Sequence, residues 1–214
     1  AGADWIVADE LGVEPIDQEV WDLVQGPLAS AISDPEGLAN GKPEAFNGLV
    51  EGLVMSGLAM QKYRISSRPA SGAGHQFSHV WEMEHLGMDQ EPPLTHGFKV
   101  GLGTISVLAL WEKVLEHDFT TLDVDTAVAK WPTAEEMEAK VRANFTGDML
   151  EPAVKQTMDK YLDADALRER LEVVRSKWLT IQERCRAQVM PAARVEKIIQ
   201  AVGGIYHPAQ IGLT

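Results

Sequence analysis

The chain has 214 residues, 45% of them apolar, and its 19 basic and 32 acidic side chains give a net charge of −13. This acidic balance argues against nucleic acids and anionic membranes as partners, and no apolar run reaches the about 18 residues of a membrane span. The single cysteine, Cys185, excludes an internal disulfide, and together with the lack of a visible signal peptide it indicates a cytoplasmic protein.

The N-terminal part of the chain predicts four helices. Asp4–Leu11 has helical spacing and ends at Gly12, and Asp17 and Asp34 are expected to cap the next two helices. A long helix follows Pro43, with apolar residues recurring every three or four positions. We expect this stripe to face the core; it consists of Phe46, Leu49, Val50, Leu53, Val54, Gly57 and Met60.

The next segment, residues 66–103, is rich in histidine. Four of the six histidines lie in it, namely His75, His79, His85 and His96. A helix is expected to begin after Ser71, which is a favourable N-cap residue. Spacings of three and four residues define one polar face of this helix, which carries His75, Ser78, His79 and Glu82.

A second helix of this segment is predicted to begin at Thr95, another favourable N-cap, so that His96 lies in its first turn. One helix and the start of the next could therefore bring their histidines to one point. Neutral imidazole is a common metal ligand, and a catalytic zinc typically takes three protein ligands. The spacing alone leaves two interpretations open: a metal site, or histidines that lie on the surface or at helix ends.

The remainder of the chain also predicts helices only. Residues 98–115 are strongly apolar; Gly101 and Gly103 weaken a helix there, which is expected where it approaches a neighbouring helix or a ligand closely. Thr133 and Glu136 form a capping box. Further helices are predicted over 123–130, 133–144, 149–161, 163–189 and 192–202. No stretch alternates with a period of two, so the predicted fold class is an all-α, multi-helix bundle.

Two segments carry a resemblance to a known family. SRPASGAGHQFSHVWEM at 67–83 and THGFKVGLGT at 95–104 resemble sn-glycerol-1-phosphate dehydrogenases, of the superfamily of iron-containing alcohol dehydrogenases and dehydroquinate synthases. Members join a nucleotide-binding N-terminal half to an all-helical C-terminal half. The resemblance is dense over 41–104 and departs from the family at Gly74, where relatives usually carry Glu. It implies that residues 1–214 form one helical metal- and substrate-binding domain.

The resemblance also implies site residues. In the family one acidic residue and two histidines hold the metal; here the histidines would be His75 and His96, and the ion zinc, with nickel or iron as alternatives. His79 would line the substrate side as the catalytic residue. Arg68 and Lys99 would contact the substrate phosphate or, alternatively, lie on the surface. NAD or NADP would be bound by the N-terminal half, so no cofactor-binding residue is expected in this chain.

The implied activity of the full-length protein is the NAD(P)-dependent interconversion of dihydroxyacetone phosphate and sn-glycerol 1-phosphate, with the metal polarising the substrate oxygen. The chain has no initiator Met, and by the resemblance the nucleotide-binding half and the acidic ligand lie upstream. We therefore expect the chain alone to be inactive and to bind metal weakly. The alternatives are a polyol dehydrogenase, a dehydroquinate synthase-like enzyme, or a non-catalytic helical assembly module. A homo-oligomer is compatible with each of them.

Overall fold

The computed structural model describes residues 1–213, and every regular element in them is a helix, which confirms the all-α prediction. No helix in this range combines the length and the hydropathy that crossing a membrane would take. In chain order the α-helices are α1 (Gly2–Glu10), α2 (Gln18–Ala31), α3 (Pro35–Ala39), α4 (Pro43–Lys62), α5 (Ala73–Met83), α6 (His96–Glu116), α7 (Val124–Ala129), α8 (Ala134–Asn144), α9 (Leu150–Met158), α10 (Ala164–Gln188) and α11 (Ala192–Ala201).

Internal contacts divide the chain into two compact units. The first unit consists of Ala1–His117 and the chain from Ile181 onward, and it contains α1 to α6 and α11. The second unit, Asp118–Thr180, contains α7 to α9. The residues of α10 fall in both units. All the residues that the sequence singles out for a site belong to the first unit.

Most helix starts follow the capping signals of the local sequence. Asp17 and Asp34 accept hydrogen bonds from backbone N–H groups three residues later, at 3.1 and 2.7 Å. Asp123 caps α7 in the same way. At the start of α8 both bonds of the capping box between Thr133 and Glu136 are present. The predicted caps at Asp17, Asp34 and Thr133 are confirmed, and Asp123 is a further cap of the same kind.

The second unit is closed by hydrogen bonds between residues 29 and 31 positions apart in the chain. The Trp131 indole N–H donates to the Leu162 carbonyl at 2.8 Å, and the Tyr161 hydroxyl donates to the Pro132 carbonyl at 2.9 Å. The rings of Trp131 and Tyr161 stack with centroids 6.4 Å apart. These bonds join the segment before α8 to the segment that follows α9.

Two buried clusters lie in the core of the first unit. One joins α1, α2 and α4 and contains Trp5, Ala8, Val20, Ala59 and Tyr63. The other contains Trp81, Leu102, Ile205 and Ile211. Because Trp81 lies on α5 and Leu102 on α6, the second cluster fixes the two histidine-bearing helices to each other and to the C-terminal tail.

The prediction for α4 is wrong on one face of the helix. Four residues expected in the core are exposed by 43%, 53%, 63% and 52%: Phe46, Val50, Leu53 and Val54. The helix instead packs on α2 through its small residues, since a Cβ on Gly48 or Gly52 would contact α2. Periodicity correctly marks an apolar stripe but does not say which side of the helix a neighbour covers.

Candidate metal centre

Three imidazole rings come together where α5 meets the first turn of α6. The ring centroids of His75 and His96 are 5.5 Å apart. His79 is 5.9 Å from His96 and 6.2 Å from His75. His75 and His79 lie one turn apart on α5, whereas His96 is the first residue of α6. The structure thus brings together three residues that the sequence singles out, from two helices.

Two glycines allow α5 and α6 to approach closely enough for these rings to meet. A Cβ on Gly103 would overlap the carbonyl oxygen of Gly74, and a Cβ on Gly74 would lie 3.2 Å from the Thr104 nitrogen. The two backbones therefore touch without a side chain between them. Gly103 was expected to approach either a helix or a ligand closely, and the neighbour is helix α5. The same contact explains why residue 74 is a glycine.

The N-terminus of α5 is capped by a residue from a distant part of the chain. Its N-cap is Gly72, so the prediction of Ser71 is wrong, and this glycine has no side chain to accept a hydrogen bond. Asp4 of α1 accepts the Ala73 N–H instead, at 2.9 Å across 69 residues. A Cβ on Gly72 would overlap the Asp4 carboxylate. Sequence reasoning missed this role of Asp4; a glycine at the N-cap was the one available signal.

A carboxylate fixes the orientation of His96. The Glu82 Oε1 lies 2.7 Å from the His96 Nδ1. This bond places the ring proton on Nδ1, so neutral His96 keeps its free lone pair on Nε2. Since Glu82 belongs to α5, one helix supplies two imidazoles and the carboxylate that orients the third. Carboxylates commonly hold metal-binding histidines in this way.

The surroundings of His75 favour its neutral form. Burial lowers the pKa of His75, and the neighbouring His96 and His79 lower it further. Neutral imidazole is the form that binds metals.

Ser78, placed on the same polar face by its spacing, is instead fully buried and donates its hydroxyl to the His75 carbonyl at 2.9 Å. A serine that bonds to its own helix can be buried, which the spacing alone does not reveal.

The two basic residues of the motif lie in different surroundings. Lys99 is only 1% exposed, and no carboxylate of residues 1–213 forms an ion pair with it. The Arg68 Nε, in contrast, lies 3.1 Å from Glu14 Oε2. Glu14 also accepts hydrogen bonds from the hydroxyls of Tyr63 and Ser66, at 3.0 and 2.5 Å. Arg68 is thus part of a network that holds the loop before α5 in place, whereas Lys99 is a buried cation with no counter-ion among residues 1–213.

A cleft of about 490 Å³ borders the imidazole of His75. Its lining comes from several elements of the first unit and is mainly apolar, with Leu108, Trp111 and Ile199 among the larger side chains. Thr104 is one of its few polar groups. A mainly apolar cleft with a few polar groups at one end is a common form of small-molecule site.

The spacing of the rings tests which histidines fit a metal. Within residues 1–213 no three His, Cys, Asp or Glu side chains are positioned to hold an ion together. At a zinc–nitrogen distance of about 2.0–2.1 Å, two imidazoles on one tetrahedral ion have ring centroids about 5.2 Å apart. His75 and His96, at 5.5 Å, are close to this spacing, and His79 lies farther out. The donor set that fits is therefore a pair of imidazoles.

Curated proteins similar to this chain are named "Glycerol-1-phosphate dehydrogenase [NAD(P)+]". One from Geobacillus thermodenitrificans is 28% identical over 211 residues, which cover 99% of this chain and 42% of the relative. One from Halalkalibacterium halodurans is 38% identical over 51% of this chain and 27% of the relative. One from Pyrococcus horikoshii is 36% identical over 52% of this chain and 32% of the relative.

These comparisons confirm the resemblance seen in the two motifs. The chain spans less than half the length of the relatives that it matches. No protein-family profile matches the chain. No solved structure matches it either.

Proposed function

We propose that this chain is the helical, metal- and substrate-binding part of an NAD(P)-dependent dehydrogenase that interconverts dihydroxyacetone phosphate and sn-glycerol 1-phosphate. The observation that carries the proposal is the meeting of three imidazoles from α5 and α6, with centroids 5.5–6.2 Å apart. They lie on the two motifs that resemble glycerol-1-phosphate dehydrogenases, and the similar curated proteins bear that name.

In this proposal His75 and His96 hold a divalent ion, zinc or alternatively nickel or iron, and an acidic residue outside this chain completes the set. The ion would supply Lewis acidity toward the substrate oxygen. Burial lowers the pKa of His75 and so favours its neutral ring, and Glu82 orients the ring of His96. Both rings are therefore prepared to present a lone pair.

His79 is proposed as the catalytic histidine. Its ring is farther from His75 than His96 is, and its side chain is exposed, so it stays available to a substrate. An imidazole titrates near neutral pH and can accept or donate a proton at a ring nitrogen. His79 would hydrogen-bond to the substrate hydroxyl and carry its proton.

Lys99 supports a phosphorylated substrate over an unphosphorylated polyol. A buried ammonium without a counter-ion destabilises a fold by several kcal/mol, and a bound phosphate would offset that cost. Lys99 lies one turn after His96 on α6. Arg68, which is held by Glu14, is the second phosphate-contact candidate and would contribute its charge from the loop before α5.

Zinc titration by calorimetry tests the metal pair directly. We expect weak binding to the chain alone, reduced at least about tenfold in His75→Ala and in His96→Ala. The matched control is His85→Asn, because His85 has a positive φ of 58° that asparagine tolerates. Undiminished binding in both alanine variants would refute the site.

The chain alone is expected to show no turnover of dihydroxyacetone phosphate with NADH or NADPH.

Lys99→Met tests the phosphate contact, because methionine keeps the apolar stem and removes the charge. We expect the free variant to melt at a higher temperature than the parent, since a buried unpaired charge is gone. Stabilisation by dihydroxyacetone phosphate should be lost, while any effect of dihydroxyacetone is unchanged. Lys113→Met, at an exposed ion pair with Glu116, is the control. Retained stabilisation by the phosphate in Lys99→Met would contradict the proposal.

A further inference from the structure

The cleft beside His75 is elongated and runs along one side of α6. The lining residues of this helix recur at one, three or four positions and share one face: Val100, Gly101, Thr104, Val107, Leu108 and Trp111. The helix between the first and the last of them is about 16 Å long. His75 lies at the end near Val100, because it contacts His96, which begins α6 one turn earlier. Trp111 lies at the opposite end.

The other walls of the cleft are also mainly apolar. Two further helices contribute large aliphatic side chains: Val195, Ile198 and Ile199 from α11, and Val24 and Leu28 from α2. Among residues 1–213, no side chain of Asp, Glu, Lys or Arg lines the cleft. Leu28 is 38% exposed, so the cleft reaches the surface on the α2 side. An apolar molecule can therefore enter without passing a charged side chain.

The volume of the cleft is large for a space between packed helices. Its 490 Å³ would hold roughly 16 water molecules at about 30 Å³ each. Protein interiors contain few voids larger than one water molecule. Because the lining is mainly apolar, water in the cleft would lack hydrogen-bond partners, and its displacement by an apolar ligand is favourable.

The shape of the cleft selects the class of ligand. Spread over about 16 Å, the volume gives a mean width of about 6 Å. Carbon atoms in contact are about 3.5–4.0 Å apart, so this width accommodates one extended alkyl chain but not a bulky ring system. At about 1.3 Å per carbon, a chain of about twelve carbons spans the distance from His75 to Trp111.

We propose that this cleft binds an unbranched aliphatic alcohol of about twelve carbons, with its hydroxyl at His75 and its chain end at Trp111. An uncharged hydroxyl suits an end where the polar group is an imidazole, since the two can form a hydrogen bond. This ligand differs from the phosphorylated substrate, and its binding does not require the metal. Measurements with a chelator present therefore test the cleft separately from the proposed metal pair.

A series of primary alcohols tests the length of the site, with binding to the chain followed by tryptophan fluorescence. From about six carbons upward the affinity should rise about fourfold per methylene group, and it should stop rising beyond about twelve carbons. An affinity that does not depend on chain length overturns the proposal. One that still rises at about fourteen carbons also does so, because it indicates adsorption on exposed apolar surface.

Leu108→Trp should shorten the cleft at the end near Trp111. The longest alcohol that still gains affinity should then have about eight carbons, while shorter alcohols bind as they do to the parent chain. The matched control is Leu110→Trp on the same helix, at a leucine that is 54% exposed and does not line the cleft. An unchanged length limit in Leu108→Trp overturns the proposal.

Gly101→Leu fills the cleft near its His75 end and provides a second test. A Cβ on Gly101 would have one neighbouring atom within 4 Å, the Ile199 Cδ1 at 3.4 Å, and leucine favours a helix over glycine, so this variant should fold. The affinity for every alcohol should fall at least about tenfold, because the new side chain occupies the ligand's place. Gly97→Leu, on the same helix in open space, is the control. A Gly101→Leu chain that is folded by circular dichroism and binds dodecanol as tightly as the parent overturns the proposal.

Discussion

The place where α5 meets α6, which we call the histidine crossing, and the second unit are held together in different ways. In the second unit the helix starts are capped by residues only three positions away, as for Asp123 and Thr133. At the crossing, Asp4 caps α5 across 69 residues, and Glu82 orients His96 across 14. We infer that a mutation of a cap in the second unit affects one helix end, whereas a mutation where α5 meets α6 disturbs several ring positions at once.

The largest effect should come from Gly103→Ala, which places a methyl group against the Gly74 carbonyl oxygen. Since neither backbone can give way without moving its helix, we expect a loss of about 3 kcal/mol in the free energy of unfolding. Zinc binding should fall with it. Gly97→Ala, in the same helix but with open space around it, is the matched control and should be neutral or stabilising. If the two substitutions reduced the free energy of unfolding equally, the contact between Gly74 and Gly103 would have no special importance for stability.

Asp4→Ala tests whether the distant cap matters more than a local one. It leaves the Ala73 N–H of α5 without its carboxylate acceptor, and we expect a loss of about 1–2 kcal/mol in the free energy of unfolding by urea. Zinc affinity should also decrease, because His75 lies two residues after Ala73. A loss of stability without any change in zinc binding would show that the cap and the imidazoles are independent.

Glu14→Gln tests whether the Glu14 carboxyl makes the stability of the first unit depend on pH. Burial alone would raise the pKa of Glu14, but hydrogen bonds from Ser66, Arg68 and Tyr63 outweigh it and hold the pKa below its ordinary value of 4.5. A carboxyl with a lowered pKa stabilises the fold above its unfolded pKa, and this stabilisation is lost as the pH falls through the folded value.

We therefore expect Glu14→Gln to be less stable than the parent by about 1 kcal/mol at pH 7, and the difference to shrink below about pH 4.5. Urea midpoints measured at both pH values provide the comparison. Glu116→Gln is the control, because the Glu116 carboxyl lies in an exposed ion pair with Lys113, and such surface pairs contribute little to stability. A difference that persists unchanged in acid would argue against the Glu14 network.

The smallest effect should be that of Thr133→Ala, which removes one side of the capping box at the start of α8. We expect a loss of about 0.5–1 kcal/mol, confined to the second unit, with zinc binding unchanged. Hydrogen exchange of α8 amides is the suitable measurement. Altered hydrogen exchange at α5 would show that a cap mutation in the second unit also affects the first unit, contrary to this prediction.

The sequence predicted what depends on neighbouring residues and failed where distant residues meet. The caps at Asp17, Asp34 and Thr133, the all-α class and the polar face with His75 and His79 all follow from short spacings. The cap at Asp4 could not be predicted, because nothing near Gly72 indicates which helix approaches it. The exposed side of α4 was misassigned for the same reason, since an apolar stripe looks alike whether it is covered by its own chain or not.

The contact between Gly74 and Gly103 has a consequence for engineering the ion preference of the proposed metal centre. Where main chain lies directly on main chain, no rotamer change can widen or narrow the gap, so the separation of the two helices acts as a fixed frame. Substitutions aimed at a larger or smaller cation should therefore be made at Glu82, which orients the His96 ring, and not at the glycines that set the distance between the helices.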